Sequence, residues 1–314
     1  MLERHLPAYS EFISSIEQQI SRKSDVVLFR CGALRYEAAG EAKTYDFVKI
    51  QSHPIADADP ILLIRAGIHG DEIAGPLTIM NHVGEIIDYA HARGVKLVIF
   101  PLDNPSGFER NMRYNMEGDF GNGGNNDFIR YELENGDIVD DLGTGNAFKC
   151  WHWASDLPIG NTLPKETAML HAELKKLPLS RVKAVIDLHQ DNYIRFPGAY
   201  HYAYGDVSAY RKIVEDIRTI VPVFINEHID SGYLNGPSYR PEQPQGDTIV
   251  VDPFDPVTDD LGFIIRHDCT LPDLFWRLGT KHCITVETTA VTPPEISDAV
   301  NMVWIRGLID LAAP

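Results

Sequence analysis

The sequence predicts an α/β fold in which helices cover both faces of a mostly parallel, mixed β-sheet. Short and continuously apolar runs recur from residue 61 onward. Segments with helical spacing separate these runs, which is the pattern expected of parallel strands that are buried on both sides. The chain has 314 residues, enough to bury a large core without a structural metal or disulfide. Any bound metal is therefore expected to serve chemistry.

The predicted elements follow from these patterns in chain order. An amphipathic helix opens the chain, because apolar side chains recur on one face from Tyr9 to Ile20. Two short strands around 26–29 and 45–50 are predicted to form a hairpin or an edge pair. The other predicted strands are 61–67, 95–102, 182–189, 222–226 and 282–288. The other predicted helices are 73–90, 164–177 and 206–220, with a last helix beginning at Pro293-Pro294.

Two stretches, 104–160 and 228–280, show little periodicity and are predicted to be long loops. Loops of that length inside a compact domain are usually functional. Neither a repeat nor a linker divides the chain, so we expect one domain over residues 1–314. In this interpretation 1–55 supply the N-terminal helix and edge strands, and 56–314 form the catalytic core.

Composition excludes several classes of function. The net charge of −17 and the lack of a basic stripe argue against nucleic acid as a partner. Four cysteines without C-x-x-C spacing indicate neither a disulfide framework nor a zinc knuckle, which favours a reduced, cytoplasmic setting. The N-terminus lacks signal-peptide features, and no apolar run approaches the roughly 18 residues that span a bilayer. We expect no membrane partner, and the oligomeric state stays open.

Candidate metal ligands follow the predicted strands, and the ligand crevice of an open α/β sheet lies at these carboxyl ends. His69 and Glu72 come after strand 61–67, and His189 ends strand 182–189. Two histidines and one carboxylate are donors that catalytic zinc prefers, with a fourth position left for water. The sequence therefore predicts one zinc ion on these residues and leaves a second metal open.

Two further residues are predicted to take part in catalysis. Zinc-bound water needs a base to accept its proton, and Glu287 ends the last predicted strand. Arg113 is the predicted cation for the developing oxyanion. Structural alternatives exist for every assignment: a histidine at a strand end is often only hydrogen-bonded, and Glu72 could simply favour a helix N-terminus. Asp71, also a possible ligand, is expected to point away.

Four motifs in order carry a resemblance to a known family. They are HGDE with His69 and Glu72, NPSG at 104–107 followed by RYN at 113–115, DLHQ with His189, and TVET with Glu287. From about residue 60 to 290 the chain resembles the zinc metallocarboxypeptidase superfamily. That superfamily includes digestive carboxypeptidases, murein-peptide amidases and the succinylglutamate desuccinylase/aspartoacylase branch. The resemblance implies a carboxypeptidase-like α/β fold, zinc on the three ligands, Glu287 as general base and Arg113 polarising the scissile carbonyl.

The chain departs from the family pattern in the segment that would bind the substrate. Peptidase members usually carry an Asn-Arg pair shortly after the RYN-like segment, and that arginine binds the substrate's C-terminal carboxylate. Here the corresponding GDFGNGGNND contains Asn122 but no adjacent arginine. The predicted substrate contacts are Asn122, Asn104 and Tyr239, with Tyr233 as an alternative tyrosine. Arg130, Arg195 and Arg240 are the candidates for the missing cation.

The leading hypothesis is a zinc-dependent hydrolase that cleaves an amide bond of a small peptide. Only 27 residues follow Glu287, which favours the peptidase-like architecture over the desuccinylase branch with its further β-rich region. The alternative activity is deacylation of an N-acyl amino acid. Rival classes are a metal-binding protein without turnover and a nucleotide-binding α/β protein, although the glycines at 67, 70 and 75 lack G-x-G-x-x-G spacing.

Overall fold

The computed structural model describes residues 6–117, 128–140, 142, 145, 147–226, 258–264 and 270–314. Its strands are β1 Val26–Ala38, β2 Glu41–Ser52, β3 Ile61–Ala66, β4 Lys96–Phe100, β5 Ile129–Glu132, β6 Ile138–Val139, β7 Cys150–Trp153, β8 Val182–Asp191, β9 Ala199–Tyr204 and β10 His282–Thr289. Its α-helices are α1 Tyr9–Ile20, α2 Ala74–Ala92, α3 Pro105–Arg110, α4 Lys165–Leu174, α5 Arg211–Arg218, α6 Leu271–Arg277 and α7 Pro294–Ala312. Short 3-10 segments span Ala154–Asp156, Leu179–Arg181 and Val207–Tyr210.

The main sheet has seven strands in the order β1-β2-β4-β3-β8-β10-β9. The four central strands, β4, β3, β8 and β10, run parallel to one another. The hairpin of β1 and β2 joins one side antiparallel, and β9 closes the other side antiparallel to β10. The prediction of a mixed α/β sheet with a parallel centre is confirmed.

Alternate side chains of the central strands feed two separate cores, as the pleat requires. In β3, Leu62 and Ile64 enter the core under α1, α2, α5 and α7. Ile61 and Leu63 enter the opposite core, which also contains residues of α4 and α6. Helices therefore cover both faces of the sheet, as predicted. No helix in the described part of the chain has the length and hydropathy needed to cross a membrane.

The sheet differs from the prediction at both of its edges. The hairpin strands β1 and β2 extend well beyond the predicted 26–29 and 45–50. Their polar ends near the turn also pair with each other, so that the two strands are hydrogen-bonded along almost their full length. The predicted strand 222–226 is wrong, since Val223 makes only an isolated bridge to Ala199. The edge beside β10 is occupied by β9, where alanines enter the first core and tyrosines alternate with them.

The stretch 104–160 is not a continuous loop, as the sequence had suggested. It contains α3 and a three-stranded sheet in the order β6-β5-β7. Tyr131 and Trp153 of this small sheet are buried in the second core, which explains why such short strands are stable. The small sheet therefore packs on the side of the main sheet that carries the second core.

Candidate active site

The three predicted ligands lie together at the carboxyl ends of β3 and β8. Nδ1 of His69 is 2.8 Å from Oε1 of Glu72, and Nδ1 of His189 is 2.8 Å from Oε2 of the same carboxylate. The three donor atoms all lie within 4.8 Å of one another, and all three residues are buried. This donor set of two imidazole nitrogens and one carboxylate fits a catalytic zinc ion.

The electrostatics of the cluster also favour a cation. Burial opposes the charged form of Glu72, but His69 and His189 outweigh it and hold the pKa of Glu72 well below its usual range. Burial likewise opposes the charged form of His189, but Asp187 and Glu72 raise the pKa of that imidazole well above its usual value. Glu72 and Asp187 are thus ionised, and a metal ion bound here would replace the proton that they hold on His189.

Close packing of glycines fixes the turn that carries His69. A Cβ on Gly70 would lie 2.2 Å from the carbonyl carbon of Gly107, so only glycine allows α3 to approach here. The Gly70 N–H also donates to the Arg113 carbonyl at 3.1 Å. These contacts join the first half of the metal cluster to the RYN segment.

Asn104 also connects the His69 turn with the RYN segment, through hydrogen bonds of its side chain. It is fully buried, and its amide nitrogen donates to the carbonyls of Ile68 and Arg113 at 3.3 and 3.2 Å. Its side-chain oxygen accepts the Gly107 N–H at 2.9 Å and caps α3. The observed contacts are therefore with the backbone, and contact between Asn104 and a substrate stays a prediction.

A buried network of ion pairs adjoins His189, and the sequence analysis did not predict it. Nε2 of His189 lies 3.4 Å from Oδ2 of Asp187, which in turn lies 2.9 Å from Nη1 of Arg65. Nε of Arg65 is also 2.6 Å from Oδ2 of Asp103. A carboxylate behind a ligating histidine orients the ring and raises its basicity. The D-x-H spacing of 187–189 was the available signal, because it puts both side chains on one face of a strand.

Glu287 lies beside His189 in the parallel register of β10 and β8. One of its carboxylate oxygens, Oε2, is buried and has no hydrogen-bond partner among the described residues. Burial first, and then the charge of Glu72, raise the pKa of Glu287 well above its usual value. A carboxylate in this state is suited to accept a proton.

Arg113 reaches the cluster as a partly exposed cation. Its Nη1 lies 2.7 Å from Oε1 of Glu72, and about a third of its side chain is exposed, at 32%. Asp71 has no place among the three donors, and its Oδ1 is buried without a hydrogen-bond partner among the described residues. Arg130 is paired with Asp140, which makes it a poor substitute for the missing cation.

Asn122, Tyr239, Tyr233 and Arg240 lie outside the described residues. Arg195 is described: it follows β8 in an exposed segment and has no ion-pair partner among the described residues. Of the two described candidates, Arg130 and Arg195, it is therefore the more accessible one.

Part of the sequence matches a known protein family. The model of the succinylglutamate desuccinylase/aspartoacylase catalytic domain matches residues 58–195, a range that contains His69, Glu72, Arg113 and His189. No curated protein sequence matches the chain at a significant level.

Solved structures with a similar fold cover nearly all of the chain. A proposed metallopeptidase from Shewanella baltica OS155 has a TM-score of 0.59 at 19% identity, covering 96% of this chain and 91% of that one. Bovine thrombin-activatable fibrinolysis inhibitor, in complex with a tick carboxypeptidase inhibitor, has a TM-score of 0.53 at 15% identity, covering 98% and 97%. A metallo-carboxypeptidase from Burkholderia cenocepacia has a TM-score of 0.56 at 12% identity, covering 96% and 68%.

At these identities the likeness to solved structures concerns the fold. The chain has a carboxypeptidase-like α/β fold, and its predicted resemblance to the zinc metallocarboxypeptidase superfamily is confirmed.

Proposed function

We propose that this protein is a zinc-dependent hydrolase that cleaves an amide bond of a small peptide. The observation that carries the proposal is the convergence of His69, Glu72 and His189, with donor atoms within 4.8 Å of one another, beside Glu287. When bound there, zinc supplies a Lewis acid and lowers the pKa of a water ligand toward neutrality.

The side chains around the cluster supply the rest of the chemistry. Glu287 takes the proton from the attacking water at a carboxylate oxygen and passes it to the leaving nitrogen. Arg113 offers its guanidinium to the oxygen of the scissile carbonyl, where negative charge develops. Asp187 keeps the ring of His189 oriented from behind, at 3.4 Å.

The decisive experiment is Glu287→Gln, which keeps the shape of the side chain and removes the base. Because loss of a general base typically costs about 10²–10⁴-fold, we expect turnover to fall by that factor. Zinc content, measured by elemental analysis, should stay unchanged. Glu215→Gln on the exposed face of α5 is the matched control and should keep full activity. Hydrolysis that survives intact in Glu287→Gln would refute the mechanism.

A second candidate is deacylation of an N-acyl amino acid, and the family-model match over 58–195 favours it. The two activities separate in a panel of dipeptides, murein tripeptides and N-succinyl or N-acetyl amino acids. A peptidase cleaves unblocked peptides, whereas a deacylase releases a small acid and leaves such peptides intact. Both kinds of substrate carry a free carboxylate, and Arg195 is the candidate cation for that group.

We expect Arg195→Met to raise KM by about 10–100-fold for substrates with a free carboxylate, because a charged hydrogen bond contributes about 1.5–3 kcal/mol. Amidated versions of the same substrates are the control and should show no change in KM. An equal effect on both kinds of substrate would exclude carboxylate recognition by Arg195.

A further inference from the structure

A second group of metal-binding side chains lies on the small sheet, outside the candidate active site. Glu132 of β5 is directly opposite Cys150 of β7, and His152 follows two residues later on the same strand. The intervening Trp151 and the adjacent Trp153 pack against the second core. Strand alternation therefore presents the carboxylate, the thiol and the imidazole together on the other face.

The three donor atoms converge on one point. Sγ of Cys150 is 3.1 Å from Oε2 of Glu132 and 3.4 Å from Nε2 of His152, and that nitrogen is 3.0 Å from the same oxygen. Tetrahedral zinc, with ligand distances of about 2.0–2.3 Å, would separate such donors by about 3.3–3.7 Å. Each pair needs to open by only a few tenths of an ångström to admit an ion.

From this geometry we propose that Glu132, Cys150 and His152 form a second metal site, selective for zinc and other thiolate-binding divalent ions. The proposal shares no residue with the His69 cluster and does not rest on the proposed function. On binding, the Cys150 thiol loses its proton to solvent and the ion takes its place. Three protein ligands leave one position for water.

The orientation of Glu132 and access from solvent are consistent with such a site. Lys149 contacts Oε1 of Glu132 at 2.5 Å, which leaves Oε2 facing the other two donors. All three ligands are partly exposed, so an ion can reach them from solvent. Thiolate and imidazole together favour zinc over magnesium or calcium.

The test uses the full chain with His189→Ala, which disables the first cluster. Reduced, metal-free protein is titrated with Co²⁺, and thiolate coordination is read as a near-ultraviolet charge-transfer band. In parallel, alkylation of each cysteine is followed by peptide mass spectrometry. We expect the band to appear, and equimolar Zn²⁺ to slow labelling of Cys150 by about tenfold or more, because a coordinated thiolate is a poor nucleophile. Mg²⁺ should have no effect.

Controls separate the site from nonspecific binding by thiols. Cys31 is also partly exposed but belongs to no ligand cluster among the described residues, so zinc should leave its labelling unchanged. The double variant Glu132→Gln/His152→Ala keeps Cys150 and should lose both the protection and the cobalt band. Labelling of Cys150 at the same rate with and without zinc would overturn the proposal. Protection that persists in the double variant would overturn it equally.

Discussion

Arg65 is the residue on which the buried charges of the candidate active site depend. It is fully buried and lies between two buried carboxylates, Asp103 and Asp187, at 2.6 and 2.9 Å. Asp187 in turn lies behind His189. One cation therefore offsets the negative charge that orients a metal ligand, and its removal should affect both folding and metal binding.

We expect Arg65→Met to lower the free energy of unfolding by about 3–5 kcal/mol, because it leaves buried carboxylates unpaired. Arg30→Met is a matched control: Arg30 also bridges two carboxylates, those of Glu17 and Asp46, but half of its side chain is exposed. Its loss should cost about 1 kcal/mol or less. Urea unfolding measures both variants, and equal losses would show that burial of the network has no special role.

Glu166 should make stability depend on pH. It is buried and accepts hydrogen bonds from Tyr36 and Asn115, yet burial, supported by the charge of Asp103, raises its pKa to about 7. Since the usual value is 4.5, the folded state binds the proton more tightly than the unfolded chain does. The associated stability is complete below about pH 4.5 and is lost as the pH rises to about 7.

This shift corresponds to about 3 kcal/mol. We therefore expect the stability of the unmodified protein to fall by that amount, relative to Glu166→Gln, between pH 4.5 and 7.5. Chemical unfolding of both proteins across this range measures the difference. A constant difference between the two curves would contradict the raised pKa of Glu166.

At the scale of elements, the strands that are buried along almost their whole length were predicted most accurately from the sequence. Strands β3, β8 and β10 are buried along almost their whole length, and their carboxyl ends carry or lead into His69, Glu72, His189 and Glu287. Strand β9 was missed because its sequence AYHYAY lacks an aliphatic run, and only pairing with β10 explains it. The small sheet was missed because β5 and β7 gain their stability from tertiary packing, which local sequence does not reveal.

The sequence predicted the metal ligands of the candidate site but not the residues that pair behind them. Ligands at strand ends could be read from the order of motifs, since parallel strands place their carboxyl ends together. The pairing of Arg65 with Asp187 could not, because it depends on the register between β3 and β8. Asn104 caps α3 with its side chain, and its predicted contact with the substrate stays a prediction.

The contact between the His69 turn and α3 can be tested with one methyl group. A Cβ on Gly70 would meet backbone atoms of Gly107 at 2.2 and 2.5 Å and the Met112 carbonyl at 2.5 Å, so Gly70→Ala must displace the turn. We expect it to weaken zinc binding by about tenfold or more, because a ligand's supporting residues typically affect affinity by about 10–100-fold. Competition with a chromogenic chelator measures the affinity.

Gly84→Ala is the control for that substitution. Gly84 lies inside α2, where the nearest atom to a new Cβ is the flexible end of Gln19 at 3.4 Å. Alanine should stabilise the helix by about 0.5–1 kcal/mol and leave zinc affinity unchanged. Unchanged affinity in Gly70→Ala as well would show that the turn can shift without disturbing His69.

At the scale of the whole molecule, the two apolar cores are separate from the metal cluster. Two apolar cores lie on opposite faces of the main sheet, and neither contains a metal ligand. The cluster lies at the strand ends, beyond these cores. A single domain over the full chain stays a prediction, but the described core is large enough to fold without an ion.

Removal of metal should therefore abolish activity without unfolding the protein. We expect chelator-treated protein to keep its circular dichroism spectrum and a cooperative thermal transition. Zinc should raise the transition temperature reversibly, because an ion that binds only the folded state adds about 4 kcal/mol at a thousandfold excess over Kd. His189→Ala should behave like the chelated protein and gain less from zinc. If the chelated protein instead loses its cooperative transition, zinc is part of the fold, and the separation of stability from chemistry is wrong.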